Sequence, residues 1–289
     1  MVTRRHLLRG LPAAALGAAA APSPARARLR TALCAYSFRR ELKEGAMTYQ
    51  DLVRLAVDCD IDGLDLTVYW FPSTEPDFLL PLRLAAYKSG VEIYSISIRT
   101  DMCRPTPELR AKEVDQIKRW VDVAALLGAG HIRVFGGNVP KGESEERAAA
   151  WVTEILRRAA QYSSSKGVIL GLENHGGITL KASRIIEIVR MVDSPWVGIN
   201  LDTGNFRDSY YEQIAQCVPY AVNVQYKIDM RDERGRVEAA DWNRITGLLA
   251  AGGYKGYLAL EYEGDEDAVK AVPPLLAKLK QVAAKYSSS

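Results

Sequence analysis

The sequence predicts an α/β protein built as one (β/α)8 TIM barrel. Three observations carry this. Strand-like and helix-like patterns alternate along the chain from residue 30 to residue 285. The strand candidates are short and almost continuously apolar, as parallel strands buried on both faces are. Four of them then stop at a polar residue: Val168-Ile-Leu-Gly-Leu-Glu173, Val197-Gly-Ile-Asn-Leu-Asp202, Ala221-Val-Asn-Val-Gln225 and Gly256-Tyr-Leu-Ala-Leu-Glu261. Polar groups gathered at the carboxyl ends of neighbouring parallel strands are what a barrel mouth carries.

The elements follow in order. The first strand is expected at residues 30–36. A helix at 48–58 leads to a strand at 63–67, and a helix at 79–88 to a third strand at 92–98. Residues 107–127 form a helix, with Val114, Ile117, Val121 and Ala124 at helical spacing. The fourth strand is 131–135. A long helix at 144–163 precedes the fifth strand, and 181–191 separates the fifth from the sixth. A short helix at 210–216 precedes the seventh strand, 242–251 precedes the eighth, and 267–285 closes the chain. A doubly wound open sheet is the rival. It would normally show a glycine-rich dinucleotide turn, and the sequence has none.

The first 27 residues read as an address. Thr3-Arg4-Arg5-His6-Leu7-Leu8-Arg9 is a twin-arginine pattern, followed by a small-residue apolar stretch and an Ala25-Arg26-Ala27 cleavage site. The stretch is too short for a bilayer, which needs ~20 residues. The expected division is a signal peptide at 1–27 and the barrel at 28–289. This places the protein in the periplasm or outside the cell, with no membrane attachment after cleavage. Cleavage removes four arginines. Lys and Arg fall from 38 to 34 against 35 Asp and Glu, for a net charge of −1. Such a surface gives nucleic-acid binding no electrostatic support. Cys34, Cys59, Cys103 and Cys217 form no CxxC pair and read mostly as buried cysteines.

Alternation along a strand sorts residues by face. Ile169, Gly171, Glu173 and His175 share one side. So do Gly198, Asn200 and Asp202; Asn223, Gln225 and Lys227; and Ala259, Glu261 and Glu263. All become polar toward the carboxyl end, so they should point into the mouth. Three carboxylates converging there would repel. A divalent cation resolves this, and oxygen donors favour Mn²⁺ or Mg²⁺, with Co²⁺ or Zn²⁺ as lesser options. The alternative is ion pairing to Arg133, Lys227 or Arg231.

The signatures Leu172-Glu-Asn-His175, Asn200-Leu-Asp-Thr-Gly-Asn205, Val224-Gln-Tyr-Lys227 and Leu260-Glu-Tyr-Glu263 resemble the sugar phosphate isomerase/epimerase superfamily, the xylose isomerase-like TIM barrels. The resemblance implies one divalent metal held by Glu173, Asp202, Gln225 and Glu261. Gln225 departs from it, because His is usual there. Asn205 likewise replaces a frequent His. The resemblance also implies that Glu173 and Glu261 pass a proton to and from a carbon beside a carbonyl, and that Arg231 contacts substrate. His175, Lys227, Arg133, Asn205 and Trp70 are further candidates for substrate binding. Asp65, Tyr69, Phe71, Tyr36 and Phe38 are weaker ones.

The leading expectation is a metal-dependent isomerase or epimerase on a keto-sugar or polyol, acting through an enediolate. A metal-dependent lyase on a keto-sugar or glycoside is the runner-up. A metal-free glycosidase using Glu173 and Glu261 is a third possibility, and a sugar-binding protein without catalysis a fourth. A DNA-repair endonuclease would need a histidine-rich metal cluster, and only His131 and His175 remain after cleavage.

Overall fold

The computed structural model describes residues 28–287. The proposed signal segment lies outside them. Eight parallel strands close a barrel: β1 (Arg28–Cys34), β2 (Gly63–Thr67), β3 (Glu92–Ser97), β4 (His131–Phe135), β5 (Ile169–Glu173), β6 (Val197–Asp202), β7 (Ala221–Tyr226) and β10 (Lys255–Leu260). β10 pairs with β1 and completes the ring. The fold class is the one the alternating pattern predicts.

Helices cover the outside. They are α1 (Arg39–Glu44), α2 (Tyr49–Asp58), α3 (Pro76–Lys88), α4 (Pro107–Leu127), α5 (Glu145–Ser165), α6 (Ala182–Val192), α7 (Tyr210–Cys217), α8 (Trp242–Ala251) and α9 (Ala268–Ser287). Their starts follow local chemistry. Thr48 and Asp51 form a reciprocal capping box on α2, and Thr106, Ser144 and Asp241 cap α4, α5 and α8. None of the described helices is long and apolar enough to cross a membrane.

Two features go beyond the expected eight-fold alternation. α1 is an extra helix after β1. A small antiparallel pair, β8 (Asp229–Arg231) and β9 (Val237–Ala239), stands between β7 and α8. Both are short and largely exposed, so no apolar period announces them. β1 also runs two residues earlier than expected. Cys34 therefore ends the strand, and Tyr36 falls in the turn beyond it.

The barrel interior separates into levels. Below the mouth, Ala32, Cys34, Tyr94 and Ala259 form their own apolar cluster. Tyr94 and Tyr257 stack at 3.7 Å between centroids. Gly171 makes room for His131, since a Cβ there would lie 2.2 Å from His131 Nε2. The inward faces assigned by alternation are those that meet here.

Candidate active site at the barrel mouth

Strand pairing sets the levels. Glu173 lies opposite Asn200, Asp202 opposite Gln225, and Gln225 opposite Ala259. A register shift between Ile199 and Asn200 brings Asp202 to Gln225. Asn174, just past β5, locks this arrangement. Its side chain donates to the carbonyl of Asp202 and accepts from the Asp202 N–H, both at 2.8 Å.

The carboxylates form two clusters. In the first, Glu173 Oε2 meets Arg133 Nε at 3.0 Å. Glu173 Oε1 pairs with His175 Nδ1 at 2.8 Å and accepts from Asn205 Nδ2 at 3.2 Å. In the second, the Lys227 ammonium lies 3.3 Å from Asp202 Oδ2 and 2.9 Å from Glu261 Oε1, and it also contacts Glu263. Cys34 Sγ donates to Glu261 Oε2 at 3.4 Å. Both clusters are buried except at their outer members, His175 and Glu263.

A network of neutral polar side chains lies beneath. Asn200 Nδ2 donates to Gln225 Oε1 at 2.8 Å, and Gln225 Nε2 donates to Asp65 Oδ2 at 3.2 Å. Ser95 and Ser97 donate to the other oxygen of Asp65 at 2.9 and 3.0 Å. Both ends of the Gln225 amide are thus spoken for.

Burial and charge set the protonation of these groups. Burial alone would lower the Lys227 ammonium, but Asp202, Glu261 and Glu263 raise it well above its usual range. Burial likewise opposes the Arg133 guanidinium, and Glu173, Tyr69 and Glu261 outweigh it. Burial pushes Asp202 up to about 8 despite the pull of Lys227, with Glu261 and Glu173 adding to the push. Glu261 is also penalised by burial, yet Lys227 and Arg133 bring it below the usual carboxylate range. Hydrogen bonding and charge from Glu173 raise His175, against burial. Of the carboxylates around Lys227, Asp202 is the one that burial inclines to keep a proton near neutral pH.

The divalent metal implied by the resemblance can be tested against these donors. Glu173 Oε2 and Asp202 Oδ2 are buried oxygens that accept no hydrogen bond, which suits a cation. Each already faces one, Arg133 or Lys227. Gln225 Oε1 is committed to Asn200. Among the described residues, no group of three or more His, Cys, Asp or Glu is placed to hold a metal ion. As arranged, these residues do not fit the expected four-oxygen site. The physical reason is that the repulsion argument asks only for positive charge, and two side chains supply it.

The remaining candidates divide. Trp70 is half-buried and stacks on Tyr36, with centroids 6.0 Å apart. These two edge the mouth but make no hydrogen bond to either cluster. Phe71 packs against Tyr49, and Phe38 is core. Tyr69 lies beside Arg133, whose guanidinium carbon is 5.8 Å from the centroid of its ring. Arg231 stands on the exposed β8–β9 pair, where it donates to the carbonyl of Gly235. Asp65 sits under the site in the polar network. Cys34 and Asn174 escape the sequence reading. A two-residue shift in β1 hides Cys34, and only its position between Glu173 and the His175 side of the turn could have pointed to Asn174.

A cavity of about 230 Å³ opens beside the first cluster, lined by Arg99, Asp101, Phe135, Asn138, His175 and Thr179 among others. Phe135 stacks on the His175 ring at 4.1 Å. A larger cavity of about 640 Å³ lies against the β8–β9 pair and is lined by none of the three buried carboxylates.

Comparison with known proteins agrees with this architecture. The family model described as xylose isomerase-like TIM barrel matches residues 42–282, and the chain belongs to that family. Members of the family commonly bind a divalent metal. A probable endonuclease 4 from Acholeplasma laidlawii (strain PG-8A) is 25% identical over 207 residues, 65% of this chain and 69% of that one. The D-psicose 3-epimerase of Clostridium cellulolyticum H10, solved with D-tagatose, is similar with a TM-score of 0.70. It is 16% identical, with 90% of this chain and 98% of that chain covered. The 3-keto-D-glucoside 4-epimerase of E. coli gives a TM-score of 0.70 at 16% identity, covering 88% and 100%. At such identity these two structures show a shared fold.

Proposed function

We propose that this protein is a sugar isomerase or epimerase that moves a proton at a carbon beside a carbonyl, with Glu173 and Glu261 as the acid–base pair. The carrying observation is that each of these carboxylates is buried at the mouth against its own fixed cation. The sugar epimerases that share the fold support the class of reaction.

The geometry suits proton transfer in a specific way. When Glu173 takes the proton, the C–H electrons move into the carbonyl and create an enediolate oxygen. The same step neutralises Glu173. Arg133, until then balanced by it, is left with charge to give the new oxyanion. Lys227 does the same beside Glu261. The proton that Glu261 returns to carbon reaches it from Asp202 through the Lys227 ammonium, 3.3 Å from Asp202 and 2.9 Å from Glu261. Glu173 meanwhile passes the substrate's proton to water through His175. Fixed charges in a site sheltered from water stabilise such an oxyanion without reorganising. Glu173 reaches solvent through the exposed His175, whereas Glu261 is held between Lys227 and Cys34. The Mn²⁺ or Mg²⁺ requirement expected from the sequence finds no support in these contacts.

The substrate class we favour is an unphosphorylated keto-sugar or glycoside, in keeping with our proposal that residues 1–27 direct export to the periplasm. Replacing Arg4 and Arg5 by Lys should then trap the protein in the cytoplasm. A nuclease reading is not favoured by the histidines. His131 is buried with Nδ1 on Ser95 Oγ at 2.8 Å, which leaves His175 alone at the mouth.

The test is incubation of the purified protein with a panel of keto-sugars and glycosides in D₂O. Deuterium should enter at the carbon beside the carbonyl. Turnover without such exchange would instead point to two-carboxylate glycoside hydrolysis.

A further inference from the structure

We propose that Lys227 is the resident cation of this site, standing where the family commonly holds a divalent metal, so that the native protein binds no stoichiometric metal there. Four independent features build this position.

The first is coordination. One ammonium approaches Asp202, Glu261 and Glu263 together. An ammonium has three protons to donate; two go to Glu261 and Glu263, and Asp202 Oδ2 lies 3.3 Å away without a hydrogen bond.

The second is that the lysine is held in place along its length. Its N–H donates to Thr203 Oγ1 at 3.0 Å, and its carbonyl accepts from Trp242 Nε1 at 2.9 Å. Its side chain is 8% exposed.

The third is the space given to its stem. A Cβ on Gly204 would lie 2.7 Å from Lys227 Cγ and 2.9 Å from Lys227 Cβ. It would also lie 2.8 Å from the Asp229 carbonyl oxygen, so any side chain at position 204 would press on the lysine stem and on the backbone just beyond it. That glycine is therefore a seat for the stem.

The fourth is the fate of Gln225. A metal ligand must offer a free lone pair. The amide oxygen here accepts from Asn200 while the amide nitrogen donates to Asp65, Ser97 and Cys34. Turning the oxygen toward the carboxylates would strip a donor from buried Asp65 and an acceptor from Asn200. Leaving buried polar groups unpaired opposes that turn.

A tethered ammonium differs from a metal ion in what it can do. It donates hydrogen bonds and charge to a developing oxyanion but offers no open coordination positions. The chemistry would resist chelators and would not respond to the identity of added metals.

The inference concerns what fills the cation position. It stands apart from the proton-transfer reading, which deuterium exchange tests separately. The direct experiment is elemental analysis of the purified full chain, followed by calorimetric titration with Mn²⁺, Mg²⁺ and Zn²⁺. The native protein should carry well below one equivalent after dialysis and give no saturable uptake. Its melting temperature should be the same in EDTA and in Mn²⁺. The Lys227→Met variant, checked for folding by circular dichroism, should gain Mn²⁺-dependent stabilisation. One tightly held equivalent in the native protein would overturn the proposal, as would a folded Lys227→Met chain that still takes up no metal. Should Lys227→Met fail to fold, titration of the native protein decides alone.

Discussion

Glu173 and Glu261 end their strands in the same way, yet the two sides of the mouth are built differently. Glu173 faces a guanidinium on one oxygen and an exposed imidazole on the other. Glu261 faces an ammonium shared with Asp202 and a buried thiol. One side reaches solvent through an imidazole that can carry a proton, and the other through the Lys227 ammonium and half-exposed Glu263. A symmetric pair of bases would exchange protons with water equally; this pair should not. The difference teaches that a carboxylate's role at a barrel mouth is set by the cation and the exit path beside it, more than by its own position.

The largest effect should come from removing either base. Glu173→Gln and Glu261→Gln should each lower turnover by ~10²–10⁴-fold, the range for a general acid or base. The comparison sharpens in what survives. Each variant keeps one base, so exchange of substrate hydrogen with D₂O should persist in one variant more than in the other. Glu261→Gln keeps the base that is bonded to an exposed imidazole and should retain more exchange. Equal residual exchange would break the asymmetry.

The next effect is on stability. Lys227→Met leaves Glu261 facing a buried apolar group, and breaking a buried pair from one side costs ~3–5 kcal/mol. Arg133→Met should cost less. Glu173 keeps His175 and Asn205 as partners, and the guanidinium carbon already lies 4.0 Å from the centroid of the Phe135 ring, an apolar neighbour that methionine can also use. Urea unfolding of the two variants would rank them, and the reverse order would show that the Glu173 side carries more of the buried charge.

Part of this contrast was legible from sequence and part was not. Glu173, Asp202 and Glu261 were readable because apolar runs stop at them. Arg133 and Lys227 were readable as possible neutralisers, since alternation places Lys227 on the face of Gln225. What alternation cannot supply is the choice between a metal and these cations. That choice rests on the rotamer of Gln225, and through it on the Asn200 amide and on a register shift inside β6–β7 pairing. Neither leaves a periodic trace. Cys34 was readable as buried but not as a partner of Glu261, because nothing local fixes where β1 stops. The β8–β9 pair has three residues per strand, too few to show a period.

A pH effect comes third. Asp202 holds its proton up to about 8 in the folded state, against ~3.9 in an unfolded chain. Between these values the native state binds more protons than the unfolded one. Stability from this group is therefore full below about pH 4 and is lost as pH rises toward 8. Asp202→Asn should flatten that stretch of the stability–pH curve. Glu261 has the opposite sign. Its lowered value makes it stabilising above the usual carboxylate range, and that contribution is lost as acid protonates it. A curve for Asp202→Asn as steep as the native one would mean that the proton resides elsewhere in the Lys227 cluster.

The smallest effect, and the one most specific to the Glu173 side, belongs to His175. Its side chain is 54% exposed and bonded to Glu173 Oε1, so it can carry a proton from Glu173 to water. It is not itself required for the transfer between carbon and carboxylate. His175→Gln should therefore reduce turnover by well under the ~10²-fold that loss of a base costs. It should change the isotopic outcome instead. With the imidazole gone, the proton on Glu173 waits longer and returns to the same carbon, regenerating substrate, more often than it exchanges. The deuterium found in recovered substrate per turnover in D₂O should fall. An unchanged ratio would mean that water reaches Glu173 directly, and the two carboxylates would then differ in their cations alone.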